Sequence, residues 1–280
     1  MSRSLTDGTV RIEPLSPANE RAALAYLSLA PYVNVFVTYL ALYDLSPSTR
    51  QRLWVAYENE RVCGAAYFGR QLALACDEVA LEPFAHEARR HRGERMIIGE
   101  REAVRGFWDR VKAWHPRPRV VRDRQLVMAA DRARLRRFEG NVVVRHARPG
   151  EWPVVAKSSA ALIEQELEYD PRRASADFNA NIREMIQRDL WWVGESDGHL
   201  CFFCNIGPWC KTTAQLQGIW TPPELRRRGL AKASFSAICE RLLEHSPTLS
   251  LYVNDFNREA IALYEGTGFE HVADFQTLLF

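Results

Sequence analysis

At 280 residues the chain is long for a single domain, and at about 150 residues per domain it suggests two. Its 47% hydrophobic and 26% charged residues are ordinary for a soluble globular protein. A formal net charge of +2, from 37 basic against 35 acidic residues, excludes a strong long-range pull on nucleic acid or an anionic membrane.

The opening residues, MSRSLTDGTV, have no apolar core and make no signal peptide, which points to a cytoplasmic protein with reduced cysteines. Cys201, Cys204 and Cys210 are separated by Phe202 and Phe203 rather than knuckle residues, and no close fourth ligand follows. They read as buried thiols in strands, and no metal site is expected. Ala22 to Tyr43 carries no charge and has about the length of a membrane span. Pro31, Asn34 and four tyrosines lie within it, so two short helices broken near Pro31 are predicted and no span.

The elements recur in the same order in both halves. The first opens with a strand from Val10 to Glu13, Ser16-Pro17 and a run from Asn19. The second opens with Val142 to Arg145, Arg148-Pro149-Gly150 and a helical run from Trp152. Each then has a hairpin pattern: Leu53 to Phe68 turning at Glu58-Asn59, and Trp191 to Phe203 turning at Asp197-Gly198. The shared order predicts a diverged tandem duplication, with domains at 1–138 and 139–280. The charge-rich ADRARLRRFEGN, Ala130 to Asn141, reads as the hinge, a solvated helix face or a linker, with a nucleic-acid arm as the sharper alternative.

Thr213 to Trp220 reads as a strand, with Gly218 as a bulge or a close backbone approach, ended by Pro222-Pro223. After Arg226-Arg227-Arg228-Gly229, Ala231, Phe235, Ile238 and Leu242 fall on one helix face. A short basic loop running straight into a helix suits a phosphate. The first helical N–H groups lack partners, the dipole adds positive charge, and Gly229 admits close approach. Three cations at a helix N-terminus are unfavourable without an anion. Leu249 to Asp255 alternates as a strand; Asn257 reads as the N-cap of a helix from Arg258 to Glu265, closed by Gly266 and Gly268.

Arg226-x-x-Gly229-x-Ala231 after a strand and a proline resembles the acetyl-CoA-binding motif of the GNAT N-acetyltransferases. Asn257-x-x-Ala260-x-x-x-Tyr264 with Gly268-Phe269 resembles that family's next motif. The clear resemblance covers about Val142 to Phe280. Asn34-Val35-Phe36 and the paired layout resemble a two-domain GNAT subfamily whose N-terminal half has no assigned activity. The resemblance implies an α/β (α+β) fold of tandem GNAT-like domains, each a mixed twisted sheet flanked by helices, the first one degenerate. Two parallel strands, Thr213 to Trp220 and Leu249 to Asn254, would splay to admit the pantetheine arm of acetyl-CoA.

In that frame Ile219, Trp220 and Thr221 offer backbone groups to the arm. The cofactor site is built around Arg226 to Lys232, with Arg227, Arg228, Gly229, Leu230, Ala231 and Lys232 holding the pyrophosphate. Asn254 and Asn257 complete the cofactor contacts, and Tyr264 protonates the departing thiolate. The chain departs from the family where a glutamate base often sits: the splayed strands carry Gln215, Gln217 and Tyr252. Neither glutamine nor tyrosine can serve as that base at neutral pH. Glu164, Glu166, Glu168 and Asp170 crowd the region that would line the acceptor's path. They read either as a solvated helix end or as a lure for a cationic amine that includes a base, with Glu164, Glu166 and Glu168 as acceptor-binding candidates.

The first half lacks the glycine turn. Leu72 to His91 carries acidic residues where the arginines should stand, so that half is expected to have lost cofactor binding. The expected function is acetyl transfer from acetyl-CoA to a primary amine, of a small molecule or a protein. The alternative is a non-catalytic acyl-CoA sensor or assembly protein. No nucleic-acid or membrane partner is expected.

Overall fold

The computed structural model describes residues 10–167 and 170–280. The chain forms two compact units, one comprising Met1–Val127 with Val272–Phe280 and the other Met128–His271.

The first unit runs β1 (Val10–Pro14), α1 (Glu20–Leu27), α2 (Pro31–Tyr43), α3 (Pro47–Arg50), β2 (Leu53–Glu58), β3 (Arg61–Tyr67), β4 (Gln71–Cys76), α4 (Leu81–Ala88), β5 (Met96–Glu100), α5 (Arg101–Val111) and β6 (Val120–Asp131), whose last residues pass into the second unit. The uncharged stretch is two helices, as predicted: Ala30 leaves the helical region at φ −134° and ψ 66°, and Pro31 opens α2. Buried Asn34 donates to the Leu27 carbonyl at 3.2 Å and ties α2 to α1. Among the described residues no helix is long and apolar enough to cross a membrane. The first hairpin turns at Asn59-Glu60, one residue later than predicted, with φ of 48° and 66°. That pair of positive φ angles is the turn whose twist suits two antiparallel strands.

The second unit runs β7 (Val143–His146), α6 (Trp152–Leu167), α7 (Pro171–Ala174), α8 (Phe178–Gln187), β8 (Trp191–Ser196), β9 (His199–Trp209), β10 (Thr213–Trp220), α9 (Leu230–Leu242), β11 (Thr248–Asn254) and α10 (Arg258–Gly266); β12 (Glu270–Leu279) follows. Its hairpin turns at Asp197-Gly198 as read, with φ of 50° and 76°. The sheet order is β11-β10-β9-β8-β7, antiparallel except for the parallel pair β10 and β11. In the first unit β4 and β5 make the corresponding parallel pair.

Apart from short α3 and α7, the order strand, two helices, three strands, helix, strand, helix, strand occurs twice, so the tandem reading of the sequence holds at the level of elements. Along the chain the compact units change over at Val127/Met128 and again at His271/Val272. β12, from the end of the second repeat, pairs antiparallel with β5, Phe275 opposite Glu100 through Leu279 opposite Met96. Leu278 is buried in the first unit's core with Phe84, Phe107 and Ile97.

Ala130–Asn141 is neither a solvated helix nor a free linker. Within the second unit it lies along α9 and α10: Arg136 N donates to Thr267 O (3.0 Å), Phe138 N to Ser236 Oγ (3.1 Å), and Arg137 pairs with Glu240 (3.1 Å). Cys201 and Cys204 are buried in β9, while Cys210 stands just beyond it. Among the described residues no group of three or more His, Cys, Asp or Glu is placed to hold a metal.

Candidate acyl-coenzyme A site

β10 and β11 pair only at Thr213–Thr248, Ala214–Leu249 and Gln215–Ser250, although they continue to Trp220 and Asn254. From Leu216 onward the β10 edge facing β11 has no strand partner there. A backbone edge inside a sheet normally pairs, so the opened wedge is a place where another chain-like group can add hydrogen bonds. On its other side β10 stays paired with β9, Gln217 opposite Asn205 and Trp220 opposite Phe203, with a bulge between. Gly218 sits in that bulge at φ 60°, a backbone position L side chains rarely adopt.

The loop 221–229 carries the chain from the end of β10 to the start of α9. Gly229 is its N-cap at φ 80°, exposed, with nothing within 4 Å of where a side chain would begin. The first helical hydrogen bond of α9 runs from Ala233 N to Gly229 O (3.1 Å), so the N–H groups of Leu230, Ala231 and Lys232 precede the ladder. The helix is pinned by small residues against β8: a Cβ on Gly194 would strike Ser234 Oγ, and Ala233, Ser234 and Ala237 are buried. Phe235 packs beneath, 6.3 Å from Phe202 and 5.4 Å from Phe269, ring centre to ring centre.

The loop cations have different jobs. Arg226 donates through Nε to the Thr221 carbonyl (3.0 Å), lies 4.7 Å over the Trp220 ring, and reaches Gln165 Oε1 at 3.4 Å. It therefore shapes the loop, and it occupies one acceptor direction of Thr221. Arg227 and Arg228 are exposed and pair with no carboxylate among the described residues. Arg227 adopts φ 62°, which turns the chain tightly before Gly229. The Lys232 ammonium lies 4.3 Å over the Phe138 ring and borders Gly266.

At the end of β11, Asn254 is 7% exposed and its Oδ1 is buried without a hydrogen-bond partner. Such an orphan at the mouth of the wedge fits a ligand that donates there. Asn257 spends its Oδ1 on capping α10, accepting from Ala260 N at 3.2 Å, as its N-cap reading required. Tyr264 is 6% exposed, with its ring 5.4 Å from Phe235 and 6.3 Å from Phe269. Burial first, and then the nearby Glu166 carboxylate, push its phenol well above the ordinary tyrosine value. The phenol thus stays protonated and can only give a proton at neutral pH.

The acidic segment disperses. Asp170 caps α7, accepting from Arg172 N (3.0 Å), and pairs with the Arg172 guanidinium (2.8 Å), which holds its carboxyl below the usual range. Glu164 is exposed and acts electrostatically on Arg172. Glu168 lies outside the described residues. Glu166 is the one whose charge reaches Tyr264. On β10, Gln217 Nε2 donates to Gln215 Oε1 at 2.8 Å, so no carboxylate occupies that stretch of strand.

The corresponding place in the first unit is chemically opposite. β4 and β5 are paired from Gln71–Met96 to Leu74–Gly99. The cleft beyond them, about 450 Å3, is lined by Asp77, Glu78, Glu100, Glu102 and Asp109 with Arg105. Carboxylates there repel a pyrophosphate.

Residues 158–269 match the family model for the acetyltransferase (GNAT) family, and residues 51–155 match one described as a domain of unknown function, DUF4081. A mycothiol acetyltransferase of Acidimicrobium ferrooxidans is 35% identical over 98 residues, which is 30% of this chain and 30% of that relative's length. Among solved structures, a Drosophila protein superposes with a TM-score of 0.67 at 10% identity, over 96% of this chain and 98% of that one. A GCN5-related N-acetyltransferase from Sphaerobacter thermophilus gives 0.59 at 13% identity, over 96% and 94%. A tandem GNAT protein from the clavulanic acid biosynthesis pathway gives 0.56 at 15% identity, over 97% and 98%. At these identities the structures establish the fold, which is that of a tandem GNAT protein. With the family model on residues 158–269, the second half of the chain is similar in sequence to the GNAT acetyltransferase family.

Proposed function

We propose that the second unit binds acetyl-CoA and transfers its acetyl group to a primary amine, which attacks the thioester directly. The observation that carries the reading is the parallel pair that stops at Gln215–Ser250, with β10 leading through a short basic loop into the glycine-started helix α9. Backbone groups of Ile219, Trp220 and Thr221 line the wedge. Arg227, Arg228 and the N–H groups of Gly229, Leu230, Ala231 and Lys232 form the pyrophosphate seat, with Arg226 shaping it. Asn254 and Asn257 stand at the mouth. The mycothiol acetyltransferase relative supports acetyl as the group moved.

Tyr264 is the proton donor to the thiolate, since its phenol is held protonated. Glu166, in the last turn of α6, is the candidate base from the acidic segment. The first half takes no cofactor, its cleft being lined with carboxylates. A second reading, a non-catalytic acyl-CoA sensor, is favoured by Gln215 and Gln217 standing where a strand carboxylate would serve.

Acetyl-CoA should raise the melting temperature, since it binds only folded protein. Gly229→Asp should abolish the rise, whereas Gly229→Asn, which tolerates the left-handed backbone without adding charge, should retain part of it. An equal rise in the Asp variant would refute the seat. A rise without turnover on any amine would favour the sensor.

A further inference from the structure

A row of polar side chains crosses three strands beside the apex of the wedge. In register, Trp191 on β8 stands opposite Asn205 on β9, and Asn205 opposite Gln217 on β10. Residues directly opposite share a face of the sheet, and Gln215, two positions before Gln217, shares it too. It is the face that carries the Trp191, Phe203 and Trp220 cluster. Such a face would ordinarily be filled with apolar side chains.

Asn205 is 6% exposed and Gln215 5%. The amide of Asn205 and the Nε2 of Gln215 have no hydrogen-bond partner among the described residues. The contact within the row is the one from Gln217 Nε2 to Gln215 Oε1 at 2.8 Å. Two neighbouring glycines keep the row in place. A Cβ on Gly207 would strike the Gln217 carboxamide, and one on Gly218 would strike Asn205 Oδ1. The Trp191 indole nitrogen is also buried without a partner. Unlike that indole nitrogen, the unpaired Asn205 and Gln215 amide atoms are not sealed from solvent, so these mostly buried side chains keep polar atoms a ligand can reach.

We propose that Asn205, Gln215 and Gln217 form the acceptor-recognition subsite. They bind a neutral group that both donates and accepts hydrogen bonds, a carboxamide or hydroxyl, borne next to the reacting amine. This rests on the acetyl-transfer reading above. With the pyrophosphate on α9 and the arm along β10, the acyl end lies at the wedge apex, where Gln215 is the last residue paired with β11. Carboxamides carry both donors and acceptors but no charge, so they match a neutral polar neighbour and offer no opposite charge to offset the desolvation of a second cation or an anion.

The test uses the full chain saturated with acetyl-CoA and four amines: glycinamide, ethanolamine, glycine and 1,4-diaminobutane. Glycinamide or ethanolamine should be acetylated with kcat/KM at least tenfold above glycine and 1,4-diaminobutane. Gln217→Leu should raise KM for the preferred amine about tenfold, with kcat and the acetyl-CoA melting shift nearly unchanged. Gln217→Glu should move preference toward 1,4-diaminobutane. A wild-type preference for the diamine, or unchanged KM in Gln217→Leu and Asn205→Leu with the melting shift intact, overturns the subsite while leaving cofactor binding standing. If no amine turns over, calorimetric binding of glycinamide to the coenzyme A-saturated protein decides, and its absence overturns the proposal. Loss of the melting shift in the wild-type protein removes the acetyl-transfer reading itself, and the subsite with it.

Discussion

Arg226 Nε sits 3.0 Å from the Thr221 carbonyl, so an arginine of the phosphate-seat motif is turned inward to brace the loop. Arg228, two residues on, faces solvent. The two should separate experimentally. Arg226→Ala removes a stacked guanidinium and a hydrogen bond, a loss of about 1–2 kcal/mol, and should lower the melting temperature of the ligand-free protein by a few degrees, on the order of 2–8 °C. Arg228→Ala should leave that temperature alone and weaken coenzyme A by roughly 10- to 100-fold, the worth of a charge-assisted phosphate contact of about 1.5–3 kcal/mol. Calorimetry on Arg228→Ala returning the wild-type affinity would remove that residue from the seat.

Tyr264→Phe keeps the ring that packs on Phe235 and Phe269 and deletes only the hydroxyl. Turnover should fall by about 10- to 100-fold, toward the lower end of general-acid contributions, while coenzyme A affinity stays within about twofold. Because burial holds the phenol protonated, no alkaline loss of activity from this group is expected near pH 9. Unchanged kcat in the Phe variant would leave Tyr264 a packing residue.

One coenzyme A per chain is expected. The first unit keeps its parallel strands paired up to Leu74–Gly99 and lines the neighbouring cleft with carboxylates. Titration calorimetry should give a stoichiometry near one, lost in Gly229→Asp. A stoichiometry near two would place a second seat in the first unit.

In the first unit His115 Nε2 lies 2.5 Å from Glu94 Oε1, with the two side chains 5% and 6% exposed. Burial works against both charges, but the mutual hydrogen bond and attraction prevail. The histidine is held above its ordinary value, with the Pro116 carbonyl adding to the effect, and the glutamate below its own. The glutamate's contribution is present above 4.5 and lost as pH falls through its lowered value. The histidine's is full below 6.5 and lost as pH rises through its raised value. The pair therefore stabilises most between those two ordinary values. Melting temperature should decline as pH rises from about 6 to 9, and His115→Gln should flatten that decline. Identical slopes in both proteins would rule the pair out as its source.

What the sequence disclosed depended on how local each signal was. The Asp197-Gly198 turn, the Asn257 cap and the glycine before α9 each act within a few residues, and each reading stands in the structure. The first hairpin slipped by one because Glu60, with no glycine to mark it, takes φ 66°. Asn205 went unread because its meaning lies in register with Trp191 and Gln217, which no spacing along the chain encodes. The arginines of 130–141 suggested a linker because their partners, Glu240 and Glu270, are more than a hundred residues away.

The pairing of β12 with β5 sets an order of events during synthesis. Residues up to Val127 leave the ribosome before the second unit, yet the strand that covers the outer edge of β5 and brings Leu278 into that core is made only after that unit. Throughout translation of the second unit, the first unit waits with an open β5 edge, an unpaired template of the kind other chains can join. Its completion is thus a long-range closure, slow compared with local hairpins. A nonsense codon just ahead of β12 would leave the earlier-made unit without its closing strand.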